Sequence, residues 1–411
     1  MTMSTQATRQ SSSILVAMAF CMAMQMTGFV MILPLFARRF ESFGAGVQAL
    51  GVSAVAYALT STFAAPFFGM LADRFGRRPL ILFSLAGYVL AFGGYLFATS
   101  SWQLILLRGL AGVFTAGLLP AMMSIVGDLA PESRRAQWIG IVNGGASAGW
   151  IAGPLLGGLM YDGFGYVVPF AASIAMAIGA LLLAAFLIPE TYSPAAHPTH
   201  LHSDWMHGLR ALPARSTFMM LLIITFGVMF AWAFIEPQFM FYAYDDLSWT
   251  SSQLGLVMSV FGIAFMFGEF ALGQLSDRLG RKPVLVLGLA LFSAQFVGLV
   301  IFRDVTWIVV SFILAGLGNA LYDPALNALI LDITPPEQTA GMMGLKGTAG
   351  SLGNLLGPAL VVLFTSVVTP QIVFIVATGL VLMLVLAPGL VLRLPGSIEI
   401  TPHFSSTAVE R

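Results

Sequence analysis

The sequence predicts an all-α membrane protein made of two pseudo-symmetric six-helix bundles around a central cavity, and three observations carry that prediction. Of the 411 residues, 58% are hydrophobic and only 9% charged, whereas a soluble domain carries about a quarter of its residues as Asp, Glu, Lys or Arg. So few charges cannot cover a water-exposed globule. The apolar residues also gather in twelve runs, each long enough for the roughly 20 residues that a helix needs to cross a bilayer. Lipid offers no hydrogen-bond partners, so spanning backbone is helical or forms a closed barrel. Barrel strands alternate polar and apolar residues over about ten positions, and segments such as 284–302 and 372–394 do not. Finally, the chain repeats itself without a gap at an offset of 204 residues: Gly69, Asp73, Arg74, Gly76, Arg77 and Pro79 fall on Gly273, Asp277, Arg278, Gly280, Arg281 and Pro283. The same register carries Gly112 to Gly316, Pro120 to Pro324, Asp128 to Asp332, Gly149 to Gly353 and Gly153-Pro154 to Gly357-Pro358. Six helices return a chain to its starting side. The halves are therefore parallel in topology, related by an axis along the membrane normal, with a cavity expected at their interface.

Helices are predicted at 13–37, 48–72, 79–98, 102–128, 136–160, 166–188, 217–244, 252–275, 283–302, 306–331, 340–367 and 371–393. The first follows a polar segment whose only basic residue is Arg9 and runs past 20 residues to Pro34, too long for a signal peptide, so it is expected to be retained. One set of loops holds Arg74, Arg77 and Arg78, then Arg134 and Arg135, Arg210 and Arg215, and Arg278, Arg281 and Lys282; the other holds mainly Arg38, Arg39 and Arg303. By the positive-inside rule the richer side is cytoplasmic, and both termini with it. The organisation that follows is an N-terminal bundle over 1–188, a cytoplasmic linker over 189–216, and a C-terminal bundle with a short cytoplasmic tail over 217–411. The linker carries Pro189, Pro194, Pro198 and Pro213 with His197, His200, His202 and His207. Proline-interrupted spacing gives no rigid face of ligands, so no metal site is predicted there.

Eighteen basic and eighteen acidic side chains cancel, leaving no field to attract a polyanion, so nucleic acid is excluded as a partner. The single cysteine, Cys21, has no thiol to pair with in the chain. With no nucleotide loop, no nucleophile–base pair and no metal-ligand spacing, an enzyme is not expected, nor is a cofactor.

The loop Gly69-Met-Leu-Ala-Asp73-Arg74-Phe-Gly76-Arg77-Arg78-Pro79 and its echo from Gly273 to Pro283 resemble the signature loop of the major facilitator superfamily. The resemblance covers essentially the whole chain. Physically, Gly69 and Gly273 permit close helix approach, Gly76 and Gly280 a tight turn, and Pro79 and Pro283 suit the first turn of the following helix. The resemblance implies the superfamily's fold and a loop that latches the cytoplasmic side in the outward-facing state. Asp128 and Asp332 end the fourth and tenth helices on that side, so Asp128 is expected to meet Arg77 or Arg74, and Asp332 to meet Arg281. Together with Gly69, Asp73, Gly273, Asp277 and Arg278 these form the predicted conformational gate, whose pairs are expected to break when the inside opens. The bland reading, in which the arginines only anchor topology, also holds; the doubled spacing asks for more.

In the fifth helix, Gly149-Trp-Ile-Ala-Gly153-Pro154-Leu-Leu-Gly157-Gly158 resembles the motif associated with antiporters of the superfamily. Glycines four apart leave a smooth packing face, and Pro154 frees a carbonyl and bends the helix. Generic helix packing is the alternative, supported by the partial copy at Gly353 and Gly357-Pro358. The resemblance is closest to the drug:proton antiporter branch, including tetracycline and multidrug exporters, which implies export of a small amphipathic substrate in exchange for protons.

Charges inside a membrane are costly and are functional candidates by default. Arg108 and Glu236 lie at matching depths, about 9 and 12 Å below one membrane face at 1.5 Å per residue. Arg108 followed by Gly112 is similar to the superfamily's fourth-helix motif, implicated in proton coupling, with Ala111 where a glutamine is usual. An arginine does not release protons, so its expected role is to tune a nearby carboxylate, Glu236 before others; the alternative places Glu236 in outer water beside Asp245 and Asp246. Glu269, Asp323 and Lys346 lie near the other face and form a second candidate cluster, unless Lys346 snorkels to the interface.

Exporters of this kind often carry an acidic residue in the first helix, where this chain has only Gln25. Candidate cavity residues are Gln25, Tyr57, Asn143, Trp232, Glu236, Asn319, Tyr322 and Asp323. The rivals to an exporter are a proton-linked importer of a polar nutrient such as a sugar and a non-transporting membrane sensor. The expected partners are the small amphipathic substrate, protons and the lipid bilayer; the expected setting is a bacterial inner membrane, with the chain a monomer.

Overall fold

In the computed structural model, which describes residues 2–191, 215–273, 275–335, 338–364 and 368–391, twelve helical segments are long and apolar enough to span a bilayer. They are α1 (Ser13–Glu41), α2 (Val47–Ala72), α3 (Arg77–Phe97), α4 (Ser101–Leu129), α5 (Glu132–Phe164), α6 (Val167–Leu187), α7 (Ser216–Asp246), α8 (Ser251–Leu272), α9 (Arg281–Ile301), α10 (Val305–Ile333), α11 (Gly341–Phe364) and α12 (Pro370–Pro388). No strand occurs among the described residues. Two of the spans are interrupted: α1 turns at Leu33-Pro34 before the short helix Leu35–Glu41, and α9 turns at Ser293. Large apolar side chains such as Phe20, Leu90, Phe186 and Met383 point outward, as a bilayer-facing surface requires.

The two halves pack by the same plan. In the first, α5 lies along α1, α4 lies along α2 and α3, and α6 backs α1 and α3; in the second, α11 lies along α7, α10 along α8 and α9, and α12 backs α7 and α9. Glycines set both plans. A Cβ on Gly149 would crowd Met26 and the Thr27 amide, and one on Gly157 would run into the Met31 carbonyl; Gly353 and Gly357 stand in the same way against Phe226, Phe230 and Phe234 of α7. Loss of the side chain is what lets the backbones approach. The loop echo is also structural, because Gly76 and Gly280 both adopt positive φ, 96° and 88°, a conformation that glycine takes without steric cost.

The halves meet along α5–α8 and α2–α11. For clarity, the face bearing Arg74, Arg77, Arg278 and Arg281 is called the basic face and the opposite one the far face. The joining contacts lie toward the far face: Gly158 against Ser251, Gly255 against Pro154, and Gly51 against Pro358 and Val362. Tyr244 donates to the Pro34 carbonyl at 3.1 Å, Leu155 N–H to Ser259 Oγ at 3.2 Å, and the Arg38 guanidinium sits 4.0 Å over the Tyr244 ring. Toward the basic face the same helices diverge. Gly140 and Gly144 of α5, and Gly344 and Gly347 of α11, have nothing within 4 Å of where a Cβ would stand. The space between the halves therefore opens to the basic face.

That opening corrects two expectations. Gly69 makes no close approach, having nothing within 4 Å, and a Cβ on Gly273 would meet only Glu269 of its own chain segment, because the basic ends of the halves are apart. The gate pairs are also intact: Arg77 pairs with Asp128, and Arg281 Nη1 lies 2.5 Å from Asp332 Oδ2. Each pair joins two helices of one half, so opening the basic face does not break it.

Candidate functional site

The cavity between the halves has two lobes that share Trp150, Met229, Trp232 and Met258. The polar lobe, about 380 Å³, brings Tyr57, Ser61 and Arg108 of the first half against Glu236, Ser351 and Asn354 of the second. The adjoining lobe, about 320 Å³, is walled by Phe261, Phe292, Phe312 and Tyr322, with Asn319 among them. An apolar aromatic wall beside a few convergent polar groups is the arrangement expected of a small-molecule site.

Arg108 is 6% exposed and sits in a box of rings, its guanidinium carbon 4.8 Å from the Phe36 centroid, 4.9 Å from Tyr57 and 5.7 Å from Phe29. Cation–π attraction holds a desolvated guanidinium without neutralising it. The box is fixed in turn. Tyr57 donates to Thr115 Oγ1 at 3.1 Å, the Tyr88 hydroxyl shares that oxygen at 2.5 Å, and Phe29 stacks on Tyr57 with centroids 5.6 Å apart. Arg108 Nε and Nη1 have no hydrogen-bond partner among the described residues. Glu236, on α7 one residue before Pro237, faces the same lobe from the other half, within electrostatic reach of Arg108 but not in a direct ion pair. A guanidinium and a carboxyl group thus confront each other across the cavity, one from each bundle.

The second candidate cluster is assembled near the basic face. Lys346 Nζ donates to Asp323 Oδ1 at 2.7 Å and to Asn327 Oδ1 at 2.6 Å, while Asn327 Nδ2 donates to Asp323 Oδ2 at 3.1 Å. Lys346 therefore does not snorkel away, and Asp323 lies outside both lobes. Glu269 is exposed beside it. Of the other cavity candidates, Tyr57, Trp232, Asn319 and Tyr322 line the lobes. Gln25 does not: it is fully buried inside the first bundle, next to Tyr88. Asn143 stands exposed on the diverging part of α5, toward the basic face.

The basic-face loops contain partners that the sequence did not reveal. Glu190, just past α6, accepts from the Arg77 and Arg78 backbone N–H groups, each at 3.1 Å, capping the start of α3; Thr191 donates to Asp128 Oδ2 at 2.6 Å. Arg74 lies over the Phe75 ring at 5.3 Å, leaving Arg77 as the partner of Asp128. Arg278 is exposed. The side chains of Asp73 and Asp277, and the linker histidines, lie outside the described residues.

The two ion pairs differ in burial, and that difference sets an expectation. The Arg77 and Asp128 side chains are 5% and 20% exposed, whereas Arg281 and Asp332 are 32% and 48% exposed. Removing one partner of a buried pair strands a charge, at on the order of 3 kcal/mol, while exposed pairs contribute about 1 kcal/mol or less. Arg77→Ala is therefore expected to lower the thermal unfolding temperature clearly and Arg281→Ala hardly at all. Differential scanning fluorimetry of both variants in one detergent checks this; equal shifts would contradict it.

The sequence model of the Major Facilitator Superfamily matches residues 15–244 and again 221–405. The chain belongs to the major facilitator superfamily. Its relatives include the class G tetracycline resistance protein of Vibrio anguillarum, 30% identical over 316 residues that cover 74% of this chain and 77% of that protein. Another is a multi-drug resistance efflux pump PmrA homolog of Lactococcus lactis, 27% identical over 330 residues, 79% of this chain and 81% of that one. Among solved structures, a bacterial homolog of the human lysosomal transporter Spinster, in an inward-facing and unoccupied conformation, superposes with TM-score 0.71 at 18% identity, covering 92% of this chain and 96% of that one. The human organic anion transporter MFSD10 (TETRAN) gives TM-score 0.68 at 18% identity, covering 92% and 99%. The chain is a multi-pass superfamily transporter, its fold and relatives being those of transporters and not of enzymes.

Proposed function

We propose that this superfamily member exports small amphipathic, drug-like molecules in exchange for protons, by alternating access, with Glu236 as the group for which proton and substrate compete. The observation that carries the reading is the confrontation of Arg108 and Glu236 across the polar lobe, one ionisable group on each half and no ion pair between them. A carboxylate held this way has two cheap ways to lose its charge imbalance: it takes a proton, or it takes the basic end of a ligand whose apolar body fills the aromatic lobe. Either changes the electrostatic attraction between the halves, which is the differential interaction needed to shift a two-state equilibrium. The names of the efflux relatives support the direction of transport and the class of cargo.

On this reading the basic face is cytoplasmic, the membrane is a bacterial inner membrane, and both termini lie on the cytoplasmic side. The structure then corresponds to the state that loads cargo from the cell. The first bundle ends near 188, residues 189–216 link it to the second, which begins at 217, and a single chain suffices for transport. Asp323, Lys346, Asn327 and Glu269 form a second charged station at the mouth of the open cavity.

The test uses purified protein in liposomes that enclose a pH-sensitive dye. With an inward-acid gradient imposed, adding tetracycline or a lipophilic monocation is expected to move protons outward, opposite to the compound and only when protein is present. Protons moving in the same direction as an added sugar would make the chain a symporter. Absence of flux with any of these compounds would favour a sensor.

A further inference from the structure

The far-face seal contains a carboxylate, Asp162, that stands apart from Glu236 and from the Asp323 cluster. Asp162 ends α5 in the first half, one helical turn beyond Gly158, and its side chain crosses to the start of α8 in the second. Asp162 Oδ1 accepts from the Ser251 backbone N–H at 3.1 Å; Oδ2 accepts from the Ser252 N–H at 2.7 Å and from the Ser252 hydroxyl at 2.5 Å. The first N–H groups of a helix have no partner within the helix and carry its positive end. Helix α8 satisfies part of this by itself through a capping box, in which Gln253 N–H donates to Thr250 Oγ1 at 3.2 Å and Thr250 N–H to Gln253 Oε1 at 2.9 Å. The box leaves the N–H groups of Ser251 and Ser252 to the other half of the molecule.

We infer that Asp162 is the latch of the far face, a positioning residue that completes the cap of α8 only when the halves are closed on that side. Gly158 is what lets it reach. Residues four apart share a helix face, and because Gly158 has no side chain the α5 backbone comes against the Ser251 carbonyl, bringing Asp162 over the α8 terminus. Swinging the far face open returns two backbone N–H groups and a charged acceptor to water, so the latch weights the equilibrium toward the state open to the basic face. At the repeat offset of 204, Asp162 falls on Ser366, so the α2–α11 seam carries no matching carboxylate at that position.

Spin labels placed at Trp102 and Trp307, exposed positions at the far ends of α4 and α10, report the far-face separation in W102C/W307C on a C21S background. Asp162→Ala is expected to raise the ratio of far-open to far-closed molecules about tenfold by double electron–electron resonance, and Ser252→Ala, which removes only the hydroxyl donor, by less. A distance distribution unchanged in Asp162→Ala overturns the latch. Should Asp162→Ala fail to fold, the paired variant D162C/S252C decides: its cross-link is expected to form readily, lock the far face shut and stop transport until reduced. No cross-link, or transport undiminished with the cross-link in place, overturns the proposal as well. Because these readouts are distance and locking, they stand apart from which ion is exchanged.

Discussion

In Glu236→Gln, export driven by a proton gradient is expected to fall by about two orders of magnitude, the equivalent of about 2.7 kcal/mol, while the protein remains folded. The substitution keeps the size of the side chain and its capacity to accept a hydrogen bond, and removes the ability to exchange a proton together with the negative charge that receives the basic end of the cargo. The surrounding cavity survives it, because Glu236 makes no ion pair whose loss would strand Arg108; that arginine is already held by Phe36, Tyr57 and Phe29. Exchange of labelled for unlabelled compound, which needs no net proton movement, is expected to continue but to need a higher compound concentration, because the aromatic lobe is left to hold the cargo without the carboxylate. Uptake into everted membrane vesicles, energised by a proton gradient, measures the first quantity, and counterflow in proteoliposomes the second. Unchanged gradient-driven uptake would move the proton site away from Glu236, with Asp323 the next group to substitute.

Two adjacent glycines of α5 should give opposite phenotypes, although a sequence motif treats them alike. Gly157 faces α1 inside the first bundle, where a side chain would run into the Met31 carbonyl; Gly158 faces α8 of the other half and the Ser251 carbonyl. In both cases the obstacle is backbone, which cannot rotate away. Overpacking of this kind typically costs 1–3 kcal/mol, occasionally more. For Gly157→Val the cost falls on the bundle itself, so a loss of folded, monodisperse protein is expected. For Gly158→Val each bundle can keep its packing and the seam opens instead. That variant is expected to purify normally but to lose most transport, with cysteines placed on the cavity wall becoming reactive from the far face. If the two variants unfold alike, or both transport, the separation of the two faces of α5 is wrong.

Much of the fold was legible because its signals are one-dimensional. Run length predicts the twelve spans, and the offset of 204 residues predicts that Gly353 and Gly357 should do in the second half what Gly149 and Gly153 do in the first, as the α11–α7 packing shows. The meeting of Arg108 and Glu236 was foreshadowed by depth alone, since rise along a helix is fixed. Rotation about the helix axis is harder to read. Helix α1 is apolar on all sides, so nothing in its pattern tells which face looks into the cavity, and Gln25 was placed on the wrong side of it. Contacts between distant loop ends were not legible at all: Glu190 on the start of α3, Asn327 beneath Lys346 and Asp162 on α8 depend on which ends the tertiary fold brings together. Nor does a sequence that must serve two conformations announce which one a structure will display, which is why the gate pairs were expected to break and instead persist within each half.

If proton and cargo compete for Glu236, cargo binding releases a proton at a pH where that carboxyl group is protonated beforehand. Tetracycline, and separately a lipophilic monocation, would be titrated into lightly buffered, detergent-purified protein while a pH indicator records free protons. The expected result is saturable release approaching one proton per protein for the wild type and none for Glu236→Gln. Binding without release in the wild type, or equal release from Glu236→Gln, would contradict that competition.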